Sequence, residues 1–585
     1  MDKGALVRTL VIFGVILLVW KVIWPMMSGG SHETAQPVPA ETYVNAPDFA
    51  PDPAIEQVPA GAPVPKLVPE ETCSIHGNRF DAELSTRGAA LVSLKLANEQ
   101  YADVRMITSA NPESAIERWR PLRTLFREGD ANDQFKYDRF NWKLDKLGDR
   151  GCKFTYEDEL VRVEKTVQAG ERPFELSVQT KITNLADAPK KHDFTIETFA
   201  FYKNADVKGH LGRVSPFVSD LDCGGSKVLR KNKDDFKEGW VSDPNVDRFA
   251  AISNYYFANA LVPQGATATC RILAEDWVAA GQKRDDDDAG AVYHAQLDYG
   301  SKTLQKGETA TYDQIAFFGP KERNVLKAAG GPGKNLGDLI NLGFFSPVAK
   351  VLVGLIVWLK DHVTHNWGVA IIALTLVLRS ILFPLQWKSI KSMVGMRRLK
   401  PEIDEINKKF SGDMQSKNLA MMELYKKRGV NPLGGCLPQL VQMPVWWAMY
   451  TTLETTVEMY HTHFLWFTDL SAPDQLFGAL RVPGIGHLPA LGPLPFVLGF
   501  FMVIQQRIVP QQGMDPMQQK LMTWIMPLVF MVMMLFLPAA LGVYMLTNSV
   551  LGIGQQLLVE KFAPRDGPKK KQIEVTVLGK DKARV

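Results

Sequence analysis

Cysteine is scarce in this chain, with five residues in 585. Cys73, Cys152, Cys223 and Cys270 lie in its first half, at spacings that match no metal-binding pattern. They stand either as buried thiols or as disulfides, and four cysteines allow three pairings. A nucleotide-binding loop is missing as well. The stretch 330–334 resembles one, but Ala328 takes the place of the first glycine and Asn335 follows Lys334, so it is not a phosphate cradle. The acidic run 285–288 lacks the spaced ligands and glycine of a calcium loop and reads as solvated. A net charge of +4 is too small to name a partner. No metal and no cofactor are expected.

What the chain does have is apolar sequence, unevenly placed. Mean hydropathy is −0.09, which hides a polar half and an oily half. Six apolar segments lie at about 6–24, 366–387, 436–453, 494–509 and twice within 520–559. The last stretch would be about 60 Å long as one helix, twice a hydrocarbon core, and Pro538 divides it into two spans. The second segment carries Arg379. At ~1.5 Å per residue, that charge lies roughly 10–13 Å inside the end marked by Trp387 and Lys388. A central arginine costs about 2.5–3.5 kcal/mol even on a lenient insertion scale, so it faces protein or water and marks a working site. The plainer alternative is snorkelling to the near interface. Thr375, four residues earlier, extends the polar stripe.

The first segment follows Lys3 and Arg8 and ends on Trp24 and Pro25, a poor cleavage site, so it reads as an uncleaved signal anchor. Between Gln386 and Pro432 there are eleven Lys/Arg against five Asp/Glu, whereas 461–492 carries only Arg481. The tail beyond Phe562 is again Lys-rich. Basic residues stay inside, which puts both termini and the basic loop in the cytoplasm. Residues 27–346 are then exported, into a bacterial periplasm.

That exported part begins with a Pro/Ala-rich tether over 31–70, which cannot bury a core. From about 72 to 318 short alternating runs such as 174–182 and 194–199 predict an antiparallel β-sandwich. Residues 346–363 are apolar but contain Lys350, Lys360 and Asp361, the pattern of an interfacial amphipathic helix. In the basic loop, Leu399, Ile403, Ile406 and Phe410 form one helical face, and a second helix from Met414 stops at Gly429. This hairpin is either a solvated pair or a docking surface for anionic lipid or a ribosome-like partner.

The third span opens with NPLGGCLPQLVQMPVWWAMY, residues 431–450. Its prolines and glycines are tolerated only where neighbours or water satisfy the freed backbone groups. Gln439, Gln442, Gln505 and Gln506 place polar groups toward the cytoplasmic side, while 528–537 is almost purely apolar. That asymmetry predicts a hydrophilic pocket closed toward the periplasm. Together with MDPMQQKLM at 514–522 and Arg379 ahead of Phe383 and Pro384, these motifs resemble the YidC-type membrane protein insertases, in their Gram-negative branch. The likeness is dense over 367–562 and covers the exported domain in placement and β character only. The resemblance implies a hydrated groove with one working arginine, matched by Arg379, lined by Thr375, Gln439, Gln442 and Gln506. It implies an apolar slide, here Met443, Pro444, Trp524 and Phe530. It further implies nascent membrane proteins as clients, with the Sec translocon and the ribosome or targeting machinery as partners. Many members carry paired tyrosines in the last span, whereas here Met545 follows Tyr544.

The expected fold is a polytopic α-helical membrane protein of six transmembrane helices, five of them forming the core, with a periplasmic all-β sandwich and a cytoplasmic helical hairpin. The expected divisions are an anchor (1–26), tether (27–70), β domain (71–330), linker and interfacial helix (331–365), insertase core (366–562, hairpin 386–432) and basic tail (563–585). Two rival functions fit the sequence less well. A solute or anion transporter would use Arg379 for substrate, but no internal repeat supports it. An intramembrane enzyme would need a nucleophile beside His461, His463 or Glu454, and none is paired there.

Overall fold

A computed structural model describes residues 66, 68–104, 106–107, 120–127, 140–207, 218–236, 239–278, 283–284, 286–287, 289–410, 413–429, 437–478, 480–482, 486–488, 491–508 and 520–562. The anchor, nearly all of the tether, residues 431–436 and 514–519 of the motifs, and the tail lie outside the described residues. The described chain divides into two units. One holds the β domain with residues 448–475, and the other holds 353–447 with the chain from 476 onward.

The β unit is built from antiparallel sheets of nine, five and three strands. Period-two sequence produces them. In Val161–Ala169, residues Val161, Val163 and Val167 are buried while the residues between them are partly exposed, which directs alternate side chains into one core. Lys165 shares their face and is buried too. In Gly290–Leu304 of the five-stranded sheet, Ala291, Tyr293, Ala295 and Leu297 join the main core. His294 and Gln296 occupy the opposite face, where His294 bonds Glu197 at 2.8 Å and Gln296 bonds it at 3.1 Å. The four cysteines form two bridges. Cys73–Cys152 ties the three-stranded sheet to the nine-stranded one, and Cys223–Cys270 ties the nine-stranded sheet to the five-stranded one.

Residues that follow the third apolar segment belong to this same core. Val457 and Tyr460 are buried within the β-domain cluster. The Tyr460 ring stacks on Tyr101 at 6.1 Å, and its hydroxyl donates to Asp103 at 2.9 Å. Arg323 closes the joint with a 3.0 Å ion pair to Glu458 and a 3.1 Å bond to Thr456. His461 stacks on Tyr460 and takes part in this packing, with Asp103 at 3.7 Å and Asp469 at 3.9 Å from its ring nitrogens.

The second unit is helical. Trp367–Arg398 carries Arg379, and among the described residues it alone is long and apolar enough to cross a membrane. The apolar run ends at Trp387, but the helix accommodates Pro384 and Gly395 and continues to Arg398. Lys400–Lys409 and Met414–Arg428 follow and pack through Leu399, Ile403 and Leu424. Asp413 caps the latter by accepting from the Gln415 and Ser416 amides, and Gly429 ends it at φ 64°. The first part of Leu437–Glu454, up to Trp447, belongs to this unit too, as do Pro493–Ile508, Met526–Met534 and Ala539–Phe562. Close approach at Gly542 locks the last three: a Cβ there would stand 2.4 Å from Leu494 and 2.7 Å from Met534.

Candidate functional site

Arg379 sits about midway along its helix and is only 8% exposed. A buried guanidinium needs oxygen partners for its donors, and its own helix together with Ala539–Phe562 supplies them. Nε donates to Asn548 Oδ1 at 2.7 Å, and Nη2 donates to the Asn548 carbonyl at 2.7 Å. Nη1 donates to Gln386 Oε1 and to Gln555 Oε1, both at 2.9 Å. Gln555 Nε2 returns a 3.5 Å contact to the Arg379 carbonyl. Every one of these acceptors is neutral. Among the described residues no carboxylate forms an ion pair with Arg379.

Asn548, Gly552 and Gln555 lie on one face of Ala539–Phe562, at i, i+4 and i+7. Gly552 faces the guanidinium, since a Cβ on it would be 3.0 Å from Nη2 and 3.3 Å from Gln505 Nε2. Gln442, on Leu437–Glu454, donates to Asn548 Oδ1 at 3.4 Å. Side chains from three helices therefore converge on one positive charge.

The other residues singled out by sequence fall in two groups. Thr375 is 1% exposed and its hydroxyl donates to the Ile371 carbonyl at 2.7 Å, so that hydroxyl is held by its own helix rather than by Arg379. Gln439 lies in the first turn of Leu437–Glu454, with its side chain outside the described part. Gln506 lies near the end of Pro493–Ile508 and is partly exposed. Met443 and Trp524 are exposed at 51% and 56%, while Pro444 and Phe530 are partly buried. Trp524 carries the Arg507 guanidinium over its ring at 5.1 Å. Sequence reasoning missed Gln386, Asn548, Gly552 and Gln555. The helical spacing of the last three and the seven-residue step from Arg379 to Gln386 were the available signals.

The chain thus pairs an antiparallel β domain with apolar helices around a buried arginine, one of them, among the described residues, long and apolar enough to cross a membrane. Comparison with known proteins specifies it further. The family described as 60Kd inner membrane protein matches residues 358–566, and the one described as YidC periplasmic domain matches 72–355. A membrane protein insertase YidC of Anaeromyxobacter dehalogenans (strain 2CP-C) is 31% identical over 585 residues, covering 96% of this chain and 97% of the relative. A counterpart from Geotalea daltonii is 29% identical, covering 94% and 97%. A solved active YidC insertase is 20% identical, covering 86% of this chain and 95% of that one, with a TM-score of 0.34. The chain belongs to the YidC family of membrane protein insertases. It inserts nascent membrane proteins into the bacterial inner membrane and carries a large periplasmic β domain; the solute-transporter alternative has no support among these relatives.

Proposed function

We propose that Arg379 is the electrostatic receptor of the insertase, set in a hydrated groove open to cytoplasm and lipid. The observation that carries this reading is a buried guanidinium whose described partners are all neutral. Its positive charge is held in place and remains uncompensated. Acidic residues in the polar tail of a client can pair with it at an effective dielectric well below that of water. The client's apolar segment meanwhile partitions onto Met443, Pro444, Trp524 and Phe530 and then into lipid, at about 25 cal/mol per Å² buried. Gln439, Gln442 and Gln506 keep the groove polar, and Thr375 supports the helix beside the charge. A groove reaching partway across shortens the roughly 30 Å of hydrocarbon that the tail must cross.

In this reading the chain spans the membrane six times with both termini in the cytoplasm, as the basic residues of its short loops favour. The helices Lys400–Lys409 and Met414–Arg428 face the cytoplasm, where their Lys/Arg-rich surface suits anionic lipid and the ribosome or targeting machinery. The β domain serves docking, including to the Sec translocon.

The test compares single-span clients with acidic and with neutral translocated tails. Arg379→Lys should retain much activity for both. Arg379→Ala should lower acidic-tail insertion roughly tenfold relative to neutral-tail insertion, because the removed attraction acts on charge alone. Equal loss for both clients would make Arg379 a structural residue.

A further inference from the structure

A guanidinium buried in a helical bundle is most simply held by a carboxylate, which would also neutralise it. This protein holds Arg379 with amides. Asn548 takes two of its donors, one through Oδ1 and one through the backbone carbonyl, and Gln555 takes a third. The orientation of both amides is set by further bonds. Asn548 Oδ1 also accepts from Gln442, and Gln555 Nε2 points back at the Arg379 carbonyl. Gly552 between them leaves the Nη2 edge open, where any Cβ would press to 3.0 Å. The three residues make a neutral stripe on Ala539–Phe562 that fixes the position of the charge without cancelling it.

We propose that Asn548, Gly552 and Gln555 are the positioning residues that set the charge selectivity of insertion. The neutral oxygens of Asn548 and Gln555 hold the guanidinium, beside the space that Gly552 leaves, until a client carboxylate displaces them from the same N–H groups. Aspartate at 548 would keep the shape, the Nε contact and the backbone acceptor, but it would occupy the guanidinium with a permanent internal counter-ion. A purely structural role predicts the reverse, since a carboxylate makes the stronger clamp.

This inference rests on Arg379 acting as the client receptor, and the experiment separates the two. Full-length protein in proteoliposomes is given a single-span client with two aspartates in its translocated tail, and a matched client with two asparagines. For Asn548→Asp, the ratio of acidic-tail to neutral-tail insertion should fall about tenfold, because a fixed carboxylate cancels most of the attraction that the guanidinium exerts. Gln555→Glu should lower the ratio less, since Nη1 divides its contact between Gln555 and Gln386, whereas Asn548 Oδ1 takes Nε beside the Asn548 carbonyl on Nη2. An unchanged ratio in a well-assembled Asn548→Asp protein, beside a selective loss in Arg379→Ala, overturns this inference and leaves the receptor reading standing. A loss shared equally by both clients in Arg379→Ala overturns the receptor reading itself. Should Asn548→Asp fail to accumulate, Gly552→Ala decides the matter. It adds no charge and displaces Nη2, so the ratio should drop, and a wild-type ratio there overturns the positioning role.

Discussion

Two buried cations, one in each half of the chain, are met by neutral oxygens, and the choice of side chain determines what becomes of the charge. Lys165 lies on the inner face of its strand, where Nζ donates to the Leu122 carbonyl and to Thr124 Oγ1 at 3.1 Å. With no acid paired to it among the described residues, burial pushes its pKa down to about 7 from 10.5. Arginine keeps its proton in proteins, so Arg379 suits a site that must remain charged. The lysine makes a pH prediction. Because its folded pKa lies below the unfolded value, the unfolded chain binds more protons between those two values, and stability contributed at this site rises with pH. Lys165→Met removes that dependence. The stability difference between Lys165→Met and wild type should shift steadily in favour of wild type as pH rises from about 7 to about 9.5, measured by denaturant unfolding of the full chain in detergent. A pH-independent difference would mean that Lys165 is not titrating in this window.

At the scale of elements, the sandwich depends on ties between sheets that alternation alone does not supply. Hydrogen bonds hold each sheet together internally, whereas Cys223–Cys270 connects two different sheets across a sequence separation of 47. Closing a loop of that length restricts the unfolded chain and is worth about 3–4 kcal/mol. Replacing both cysteines by serine should therefore lower the β domain's resistance to denaturant by about that amount, with little change in insertion per folded molecule. Wild-type stability in the double variant would show the bridge to be redundant with the packing around it. The same reasoning explains the helical side. At Gly542, Leu494 of Pro493–Ile508 and Met534 of Met526–Met534 press against the last helix, and such contact is available only to a residue without a side chain.

For the molecule as a whole, the sequence presents the exported half as separable, a β domain with no recognisable chemistry. Its core, however, contains Val457 and Tyr460, which come from beyond the third apolar segment. Deleting much of 82–318 would remove Tyr101, Asp103 and Tyr256 from around Tyr460 and leave the Val457 surface without its cover. The truncated protein should accumulate poorly and be cleaved by protease within 455–470, while insertion per surviving molecule stays largely intact. Added Val457→Ser and Tyr460→Ser substitutions should raise its abundance, because they remove the newly exposed apolar surface. Normal abundance of the simple deletion would count against this account, as would loss of insertion in a stable deleted protein.

Much of this was legible without coordinates, because it rests on local rules. The alternation of Val161, Val163 and Val167 favours a strand with one buried face, Gly429 stops a helix, and Arg379 is conspicuous in a 366–387 run of apolar residues. Membership of the insertase family was legible for the same reason, carried by short motifs around that arginine. What tertiary structure alone decided are relations between distant positions. Which cysteine meets which depended on strand order. The burial of Tyr460 in the β core depended on a contact with Asp103 at a sequence separation of 357. The cradle around Arg379 depended on Asn548 and Gln555, 169 and 176 residues away. Their types and spacing are visible in the sequence, but a neutral amide on a helix face has many uses. Only the packing of one helix against another places its oxygen within 3 Å of a particular charge.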